Sequence, residues 1–180
     1  MIQAGSMGVP FVPVRGYAGS DVIAGRDDFT TAPNPFNPDE RYVIAKAINP
    51  DVAIFHGLKA DRKGNVLVGD RNGLLLAMAS RKVIVTVEEI VDVVTEHDPT
   101  GWYIPAIHIT AVAQVPYGAY PTACPDYYDA DDAELLQYVK ASVSDEAFAN
   151  YLTEDVFAAG SHDAYIQQKR ITRELAGLTP

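Results

Sequence analysis

Runs of consecutive apolar residues constrain the fold of this chain more than any other feature. The two clearest are DVAIFHG at 51–57 and KVIVTVEEIV at 82–91, while AIHITAVAQV at 106–115 alternates more clearly between apolar and polar residues. Near-continuous apolar runs are typical of strands that are covered on both faces, as in the parallel sheets of α/β proteins. These runs therefore predict a sheet that contains two fully buried strands.

A helix is predicted next to these strands. Residues 70–81, DRNGLLLAMASR, are long enough for a helix and lie between the short run NVLVG at 65–69 and the strand at 82–91. The segment ends in basic Arg81 and Lys82, which are favourable at a helix C-terminus. Strand, helix and strand at this spacing predict a βαβ unit in which the strands at 65–69 and 82–91 form a parallel pair.

The two ends of the chain differ from this middle portion. Residues 1–41 are rich in proline and show almost no periodicity, and the opening stretch QAGSMGVPFVPVRG predicts a fixed turn. From Asp129 onward the pattern becomes helical, with Ser144 and Ser161 as N-caps and Gly160 as a C-cap.

Together these patterns predict an α/β fold with an open, mostly parallel sheet and flanking helices. The length of 180 residues suits one domain. We expect that domain to span 1–180, with a loop-rich entry at 1–41, an α/β core at 42–128 and C-terminal helices at 129–180.

Charge and cysteine content narrow the class of function. The net charge of -10 argues against nucleic acid and anionic membranes as partners, because both favour basic patches. The single cysteine, Cys124, excludes a disulfide framework and a Cys-rich zinc site, and we expect no bound metal or cofactor. Cys124 is interpreted as a structural thiol, with a catalytic role as the alternative.

The chain has no signal peptide pattern and no apolar run long enough to span a bilayer, so we expect a soluble, cytoplasmic protein. The basic residues available for a small anionic substrate are Arg15, Lys59, Arg62 and Lys63.

A loop that carries His56 and Asp61 follows the strand DVAIF. Ligands of open α/β sheets bind at the carboxyl ends of the strands, which is where HGLKADRKGN is expected to lie. The part from Asp61 to Asn65 also reads as an ordinary turn around Gly64. For His56, a histidine that is hydrogen-bonded to the backbone and a substrate contact remain equally open.

Glu88 and Glu89 end the strand KVIVTV. A glutamate at this edge could act as nucleophile or base, but adjacent residues on a strand point to opposite faces, so at most one faces a pocket. The competing interpretation is a carboxylate that caps a turn or pairs with a base.

The segment VPYGAYPTACPDYYDAD, residues 115–131, is dense in tyrosine, proline and glycine. Such residues suit a substrate or subunit surface, because they offer contact area with little entropy to lose. A structural crossing toward the helices is the alternative.

Five blocks in the same order resemble one known family. They are AGSMGVPFVPVRGYAGSD, INPDVAIFHGLKADRKGNV, SRKVIVTVEEIV, AVAQVPYGAYPT, and FANYLTEDVF with SHDAYI. The chain resembles the A (alpha) subunit of the family I CoA-transferases from its first residues to about Tyr165, and within them the glutaconate CoA-transferase alpha-type branch. That branch also contains CoA-ester hydrolases of steroid-ring catabolism.

The resemblance implies an A subunit that builds an active site together with a B-type subunit in a hetero-oligomer. The implied reaction moves CoA from an acyl-CoA to a small carboxylic acid through a thioester on a glutamate, which usually belongs to the B subunit. Coenzyme A is thus a substrate and not a bound cofactor. The blocks with site residues match Gly5, Ser6, Met7, Gly8, His56, Asp61, Tyr117, Gly118, Ala119 and Tyr120, and Glu88 and Glu89 remain weak nucleophile candidates.

The chain departs from the family pattern in two ways. Relatives carry an N-terminal portion of roughly a hundred residues before the AGSMGVPF block, which this sequence lacks. Tyr120 stands where relatives often have histidine. The sequence is therefore compatible with three functions: an A subunit or fragment of a CoA-transferase, a CoA-ester hydrolase on the same scaffold, and a non-catalytic remnant that serves assembly.

Overall fold

The computed structural model describes residues 1–175, with side chains through Lys169. The chain forms two compact units, Met1–Gly118 and a second unit that begins at Ala119. The first unit contains helices α1 (Ile2–Ser6) and α2 (Arg71–Ala79). Its strands, in chain order, are β1 (Phe11–Val14), β2 (Phe29–Asn34), β3 (Asn37–Lys46), β4 (Val52–Asp61), β5 (Val66–Val68), β6 (Lys82–Val91), β7 (Trp102–Ile104) and β8 (Ala111–Gln114).

A five-stranded sheet forms the centre of the first unit, with the strand order β7-β5-β4-β6-β8. Strands β4, β6 and β8 are parallel, whereas β5 and β7 join the sheet in antiparallel pairs. Alternate residues of β6 are fully buried and pack with Ala53, Ala60 and Ile104 in one apolar cluster. The prediction that β4 and β6 are buried on both faces is wrong, because Ile54 and Ile84 on the other face are exposed. The predicted α/β class is confirmed, and the sheet is parallel at its centre and antiparallel at one edge.

The parallel pair predicted from the sequence involves the wrong strands. β6 pairs in parallel with β4, while β5 pairs antiparallel with β4 and β7. The helix α2 therefore belongs to a crossover that starts from β4, with the short strand β5 inside it. A run of three apolar residues fixes neither the partner nor the direction of a strand, because both depend on residues distant in sequence.

The helix α2 is present as predicted, but it ends before the basic residues that were expected in its last turn. The Asp70 side chain caps its first turn by accepting hydrogen bonds from the backbone N–H groups of Asn72 and Gly73. The helix ends at Ala79, so the basic residues Arg81 and Lys82 lie beyond its last turn. Lys82 is already the first residue of β6.

The N-terminal region is more regular than its composition indicates. Residues predicted as a loop-rich entry contain α1, β1 and β2, and the last two form an antiparallel sheet with β3, in the order β1-β3-β2. The stretch predicted as a fixed turn is helical up to Ser6, and Gly8 then takes a positive φ of 70°. Proline at strand positions masks this sheet in the sequence, because Pro13 and Pro33 lie on the two edge strands, where proline is tolerated.

Three predicted strands have different limits from those expected. β4 continues to Asp61, so His56 lies within the strand and not in a loop that follows it. β6 continues to Val91, so Glu88 and Glu89 lie within that strand and do not end it. The run at 106–115 begins with a short 3-10 turn, Ala106–His108, and only its second half forms β8. The turn predicted around Gly64 is present, and Gly64 has a φ of 90°.

The second unit is helical, as predicted. It contains α3 (Asp132–Ala141), α4 (Asp145–Tyr151), which runs into a π-helical turn at Leu152–Phe157, and α5 (His162–Leu175). The predicted caps are confirmed. The Ser144 and Ser161 hydroxyls accept hydrogen bonds from the backbone N–H groups of Ala147 and Ala164, and Gly160 has a φ of 72°. The end of the predicted last helix, 176–178, lies outside the described residues. The single-domain organisation over 1–180 stays a prediction.

No helix within the described part of the chain is long and apolar enough to cross a membrane.

Candidate functional site

A buried pair of side chains, His56 and Glu88, lies on two neighbouring parallel strands. The imidazole Nε2 of His56 is 2.6 Å from Oε1 of Glu88, and both side chains are about nine-tenths or more buried, with exposed fractions of 11% and 5%. The pair forms because His56 on β4 stands opposite Thr86 on β6, and Glu88 follows Thr86 on the same face two residues later. The sequence prediction that Glu88 and Glu89 point to opposite faces agrees with their burial, because Glu88 is buried and Glu89 is exposed.

The second nitrogen of His56 is also engaged. Nδ1 lies 2.8 Å from the hydroxyl oxygen of Thr86. An ionised carboxylate can only accept hydrogen bonds, so Nε2 carries a proton when it faces Glu88. In the neutral ring Nδ1 then accepts the Thr86 hydroxyl proton, and in the charged ring it donates to the hydroxyl oxygen. Both ring nitrogens thus bind side chains of β6, so the interpretation of His56 as a histidine hydrogen-bonded to the backbone is wrong.

The other carboxylate oxygen of Glu88 binds the turn that follows β8. The backbone N–H of Tyr117 donates to Oε2 of Glu88 at 2.8 Å. Gly118, the next residue, lies so close to the imidazole that a Cβ atom there would stand 2.6 Å from Nδ1 of His56. The structure therefore brings together four residues that the sequence singles out from three separate segments: His56, Glu88, Tyr117 and Gly118.

Sequence reasoning missed two members of this cluster, Thr86 and Gln114. The Gln114 side-chain amide donates to the backbone carbonyl of Glu88 at 3.2 Å. The signal for Thr86 was present, because it is a polar residue two positions before Glu88 in an otherwise apolar strand and must share its face. Gln114 carries no comparable signal, since its role depends on the pairing of β8 with β6.

Asp61 lies at the end of β4 and organises the turn that follows. Its carboxylate accepts hydrogen bonds from the backbone N–H groups of Lys63, Asn65 and Val94 and from the Asn65 side chain. The residue is 4% exposed. Burial by itself raises the pKa of such a carboxyl, but the hydrogen bonds from Asn65, Val94 and Lys63 outweigh it and hold the pKa of Asp61 below its usual value. This geometry supports the turn interpretation of Asp61.

The glycine-rich opening segment packs against a different part of the first unit. A Cβ atom at Gly5 would collide with the Ile48 carbonyl oxygen and would lie 3.2 Å from Ala79 at the end of α2. Gly5 is therefore required for the close approach of α1 to the segment that leads into β4. Ser6 donates its hydroxyl proton to the Gln3 carbonyl, and Met7 is exposed. Gly8 has open space around it and serves the positive φ after the helix.

Ala119 and Tyr120 belong to the second unit. The Ala119 N–H donates to the Tyr128 hydroxyl at 3.0 Å. The Tyr120 hydroxyl donates to Asp131 at 2.7 Å, and its ring meets that of Tyr165 edge to face. Burial, and then the hydrogen bond to Asp131, raise the pKa of Tyr120 well above its usual range. Tyr120 is therefore tied to the helices of its own unit.

A buried ion pair joins two of these helices, α3 and α5. Glu134 on α3 is 5% exposed, and its carboxylate accepts hydrogen bonds from the ammonium group of Lys169 at 2.7 Å and from the Tyr151 hydroxyl at 3.1 Å. Asp131 caps α3 through the Glu134 N–H. Cys124 is buried, and its backbone N–H donates to the Tyr128 carbonyl; the interpretation of its side chain as a structural thiol stays a prediction.

The four basic residues that the sequence offers for an anionic substrate do not act as one group. Arg15 lies 3.8 Å from Glu40, and Lys59 binds Asp98 at 2.8 Å. Arg62 and Lys63 border a shallow cleft of about 380 Å³ together with Thr110. Within each unit by itself, the described residues do not gather three ligands for a metal ion.

The protein has an α/β fold. Its buried polar cluster, which contains His56 and Glu88, lies on the central parallel strands and contacts the turn after β8. The family model described as coenzyme A transferase matches residues 1–114, which is more than half of the chain. The chain belongs to the coenzyme A transferase family.

Its relatives among curated proteins include the A subunits of two CoA-transferases. The chain is 34% identical to the A subunit of glutaconate CoA-transferase from Acidaminococcus fermentans, over 96% of this chain and 60% of that protein. It is 34% identical to the A subunit of 3-oxoadipate CoA-transferase from Pseudomonas knackmussii, over 84% of this chain and 54% of that protein. The IpdA subunit of the cholesterol ring-cleaving hydrolase from Rhodococcus jostii is 26% identical, over 91% of this chain and 58% of that protein.

Solved structures agree with this assignment. The crystal structure of glutaconate CoA-transferase from Acidaminococcus fermentans superposes with a TM-score of 0.86 at 33% identity, over 96% of this chain and 60% of that chain. A variant of the decarboxylase AibA/AibB superposes with a TM-score of 0.70 at 32% identity, over 85% of this chain and 57% of that chain. The chain thus spans somewhat more than half the length of these relatives.

Proposed function

We propose that this chain acts as the A subunit, or as part of the A subunit, of a CoA-transferase that moves CoA from an acyl-CoA to a carboxylic acid. The observation that carries the proposal is the likeness to the A subunit of glutaconate CoA-transferase, which extends over 96% of the chain in sequence and in structure. A B-type subunit completes the enzyme as a hetero-oligomer in the cytoplasm, and CoA enters as a thioester substrate.

In the proposed reaction the partner subunit provides a glutamate that attacks the acyl-CoA carbonyl and expels the CoA thiolate. The thiolate then attacks the resulting anhydride, which releases the first acid and leaves a glutamyl-CoA thioester. A second acid reverses these steps. Tyr117 and Gly118 are the residues that we place nearest to this chemistry. The N–H of Tyr117 donates to Glu88 and fixes the turn, and we assign the next backbone N–H, that of Gly118, as the donor to an oxyanion. A role in the same cleft for Gly5, Ser6, Met7, Gly8, Ala119 and Tyr120 stays a prediction.

Co-expression with a B-type CoA-transferase chain from the same genome tests the proposal. We expect a stable complex on size exclusion that transfers CoA from glutaconyl-CoA or succinyl-CoA to a labelled acid such as acetate or 3-oxoadipate. A B-type chain alone is the control for partner activity. A complex that forms but exchanges no CoA with any acid of such a panel contradicts the transferase assignment, and chains that do not associate contradict the proposed pairing with a B-type chain.

Trapping identifies the nucleophile. Hydroxylamine converts a glutamyl-CoA thioester into a hydroxamate and releases free CoA, so peptide mass mapping after incubation with acyl-CoA locates the modified glutamate. We expect the partner subunit to carry the hydroxamate. A hydroxamate on Glu88 or Glu89 overturns this part of the proposal.

A second candidate function is a CoA-ester hydrolase on the same scaffold. The observation in its favour is the identity of 26% with the IpdA subunit over 91% of this chain. The two functions differ in their need for an acceptor acid. Release of free CoA thiol from an acyl-CoA in the absence of any acid supports the hydrolase, and release that requires the acid supports the transferase.

A further inference from the structure

A turn with a strained backbone follows β8 and is fastened to β6 by a buried carboxylate. Three hydrogen bonds join the two segments: Val115 N–H to the Val87 carbonyl, the Gln114 side chain to the Glu88 carbonyl, and Tyr117 N–H to the Glu88 carboxylate. In each of the three, the acceptor atom belongs to Val87 or Glu88 of β6. These hydrogen bonds therefore fix the position of the turn relative to β6.

Tyr117 has an unusual conformation within this turn. Its φ is 60°, and it follows Pro116. Proline followed by a residue with positive φ is the pattern of a type II turn, in which the second position is usually glycine because a side chain there is disfavoured. A tyrosine at this position needs support from its surroundings, and such strained residues cluster at functional sites. The Glu88 carboxylate supplies that support through the Tyr117 N–H.

His56 holds the carboxylate in place. Oε1 of Glu88 is occupied by His56 Nε2 at 2.6 Å, and Oε2 is thereby directed to Tyr117 at 2.8 Å. The Thr86 hydroxyl fixes the opposite side of the ring, and the ring edge lies against Gly118, where any Cβ atom would collide. Thr86, His56, Glu88 and Tyr117 form one chain of contacts from β6 to the turn.

We infer that Glu88 and His56 are positioning residues, which hold the Tyr117–Gly118 turn in the conformation needed for thioester chemistry, and that Glu88 is not the nucleophile. This inference rests on the proposed function for the reaction that the turn serves. The contacts that hold the turn all lie within the first unit. A nucleophilic carboxylate needs an accessible oxygen, whereas the Glu88 side chain is 5% exposed and each of its oxygens faces a donor.

Two substitutions of Glu88 separate positioning from nucleophilic attack. In Glu88→Gln the amide oxygen still accepts from Tyr117 N–H, and the amide NH₂ donates to His56 Nε2 once the ring proton moves to Nδ1, which then donates to Thr86. In Glu88→Ala both contacts are lost. A displacement of about 1 Å in a catalytic group costs on the order of 10²-fold in rate. We therefore expect Glu88→Ala to lower kcat about 10²-fold with KM within about threefold, and Glu88→Gln to stay within about fivefold of the wild type.

The activity measurement uses the complex with the B-type chain and normalises to folded protein by circular dichroism. Glu96→Gln is the matched control, because Glu96 also lies near a histidine, at 3.4 Å from His97, but is exposed. Glu88→Gln as inactive as Glu88→Ala overturns the inference, because an amide keeps the contacts but cannot form the thioester. Equal activity of Glu88→Ala and the wild type overturns it as well.

Hydrogen exchange of the Tyr117 amide in this chain by itself tests the hold without any assay of CoA transfer. We expect the amide to be protected in the wild type and in Glu88→Gln, and to exchange at least about tenfold faster in Glu88→Ala, since one hydrogen bond to a charged group is lost. A Tyr117 amide that exchanges equally fast in the wild type and in Glu88→Ala overturns the inference. If the complex transfers no CoA, the proposed function fails, and the exchange result still decides whether Glu88 holds the turn.

Discussion

Replacement of Asp61 by alanine tests the assignment of a residue that the sequence places at a substrate site and the structure places at the centre of a turn. The carboxylate accepts four hydrogen bonds, at 2.9 Å from Lys63 N, 3.0 Å from Asn65 N, 2.8 Å from Asn65 Nδ2 and 3.2 Å from Val94 N. Lys63 is exposed, so water can replace the lost partner of its N–H. Val94 is 4% exposed, so its N–H is left buried without a partner.

The magnitude follows from these contacts. A buried donor left unsatisfied costs about 1–3 kcal/mol, and a hydrogen bond to a charged group contributes about 1.5–3 kcal/mol. Asp61→Ala leaves the buried Val94 N–H without an acceptor and removes the hydrogen bonds from Asn65. We therefore expect it to lower the free energy of unfolding by about 3–4 kcal/mol. At a urea m-value of about 1.5–2 kcal/mol/M this corresponds to a midpoint lower by about 2 M.

Urea denaturation of the chain, followed by circular dichroism, measures the effect. Asp51→Asn is the control, because the Asp51 side chain is 88% exposed and directly precedes the strand that ends at Asp61, and we expect a change within about 0.5 kcal/mol. The pH dependence gives a second check. The pKa of Asp61 is lower in the folded protein than in the unfolded chain, so its contribution is present above about pH 4 and is lost as the pH falls through the folded pKa. The difference between wild type and Asp61→Ala should shrink over that acid range. A midpoint for Asp61→Ala equal to the wild type at pH 7 refutes the structural role of this carboxylate.

Three further predictions follow from other parts of the structure. Gly5→Ala should lower the unfolding midpoint by an amount equivalent to about 2–4 kcal/mol, because its methyl group meets a backbone carbonyl that cannot move aside; unchanged thermal unfolding would contradict this. Lys59→Met should raise the pKa of Asp98 toward its usual value, since the hydrogen bond from Lys59 is the main cause of its low pKa; an NMR titration of Asp98 that is the same in both proteins would count against the pair. Burial and then Glu134 raise the pKa of Tyr151 to about 12, so Glu134→Gln should lower it, as read from carbon NMR of labelled tyrosine; no downward shift would reject the contact.

The local features of the fold could be predicted from the sequence because they depend on neighbouring residues. Near-continuous apolar runs identified β4 and β6, and the capping residues Ser144 and Ser161 identified helix starts in the second unit. The turn at Gly64 also followed from its composition. In each case the hydrogen-bond partners or the buried face lie within a few positions along the chain, so the pattern carries the information.

The pairing of strands could not be predicted in the same way. The sequence pattern predicts that β5 and β6 are a parallel pair, whereas in the fold the parallel partner of β6 is β4 and β5 is antiparallel to β4. The sequence also predicts a loop where β1 and β2 form an antiparallel sheet with β3. A strand of three residues, or a strand that contains proline, has too weak a pattern to select its partner. The choice depends on side-chain packing between segments distant in sequence.

The candidate site shows the same division. The sequence by itself determined which residues are capable of chemistry, His56, Glu88, Tyr117 and Gly118, and it determined the family. Only the tertiary structure decided that these four residues meet, because the register of β4 against β6 places His56 opposite Thr86 and two residues before the level of Glu88. It also decided that Asp61, from the same sequence block as His56, serves its own turn. Register is a long-range property of the packed sheet, and a shift of one residue would have turned Glu88 to the other face.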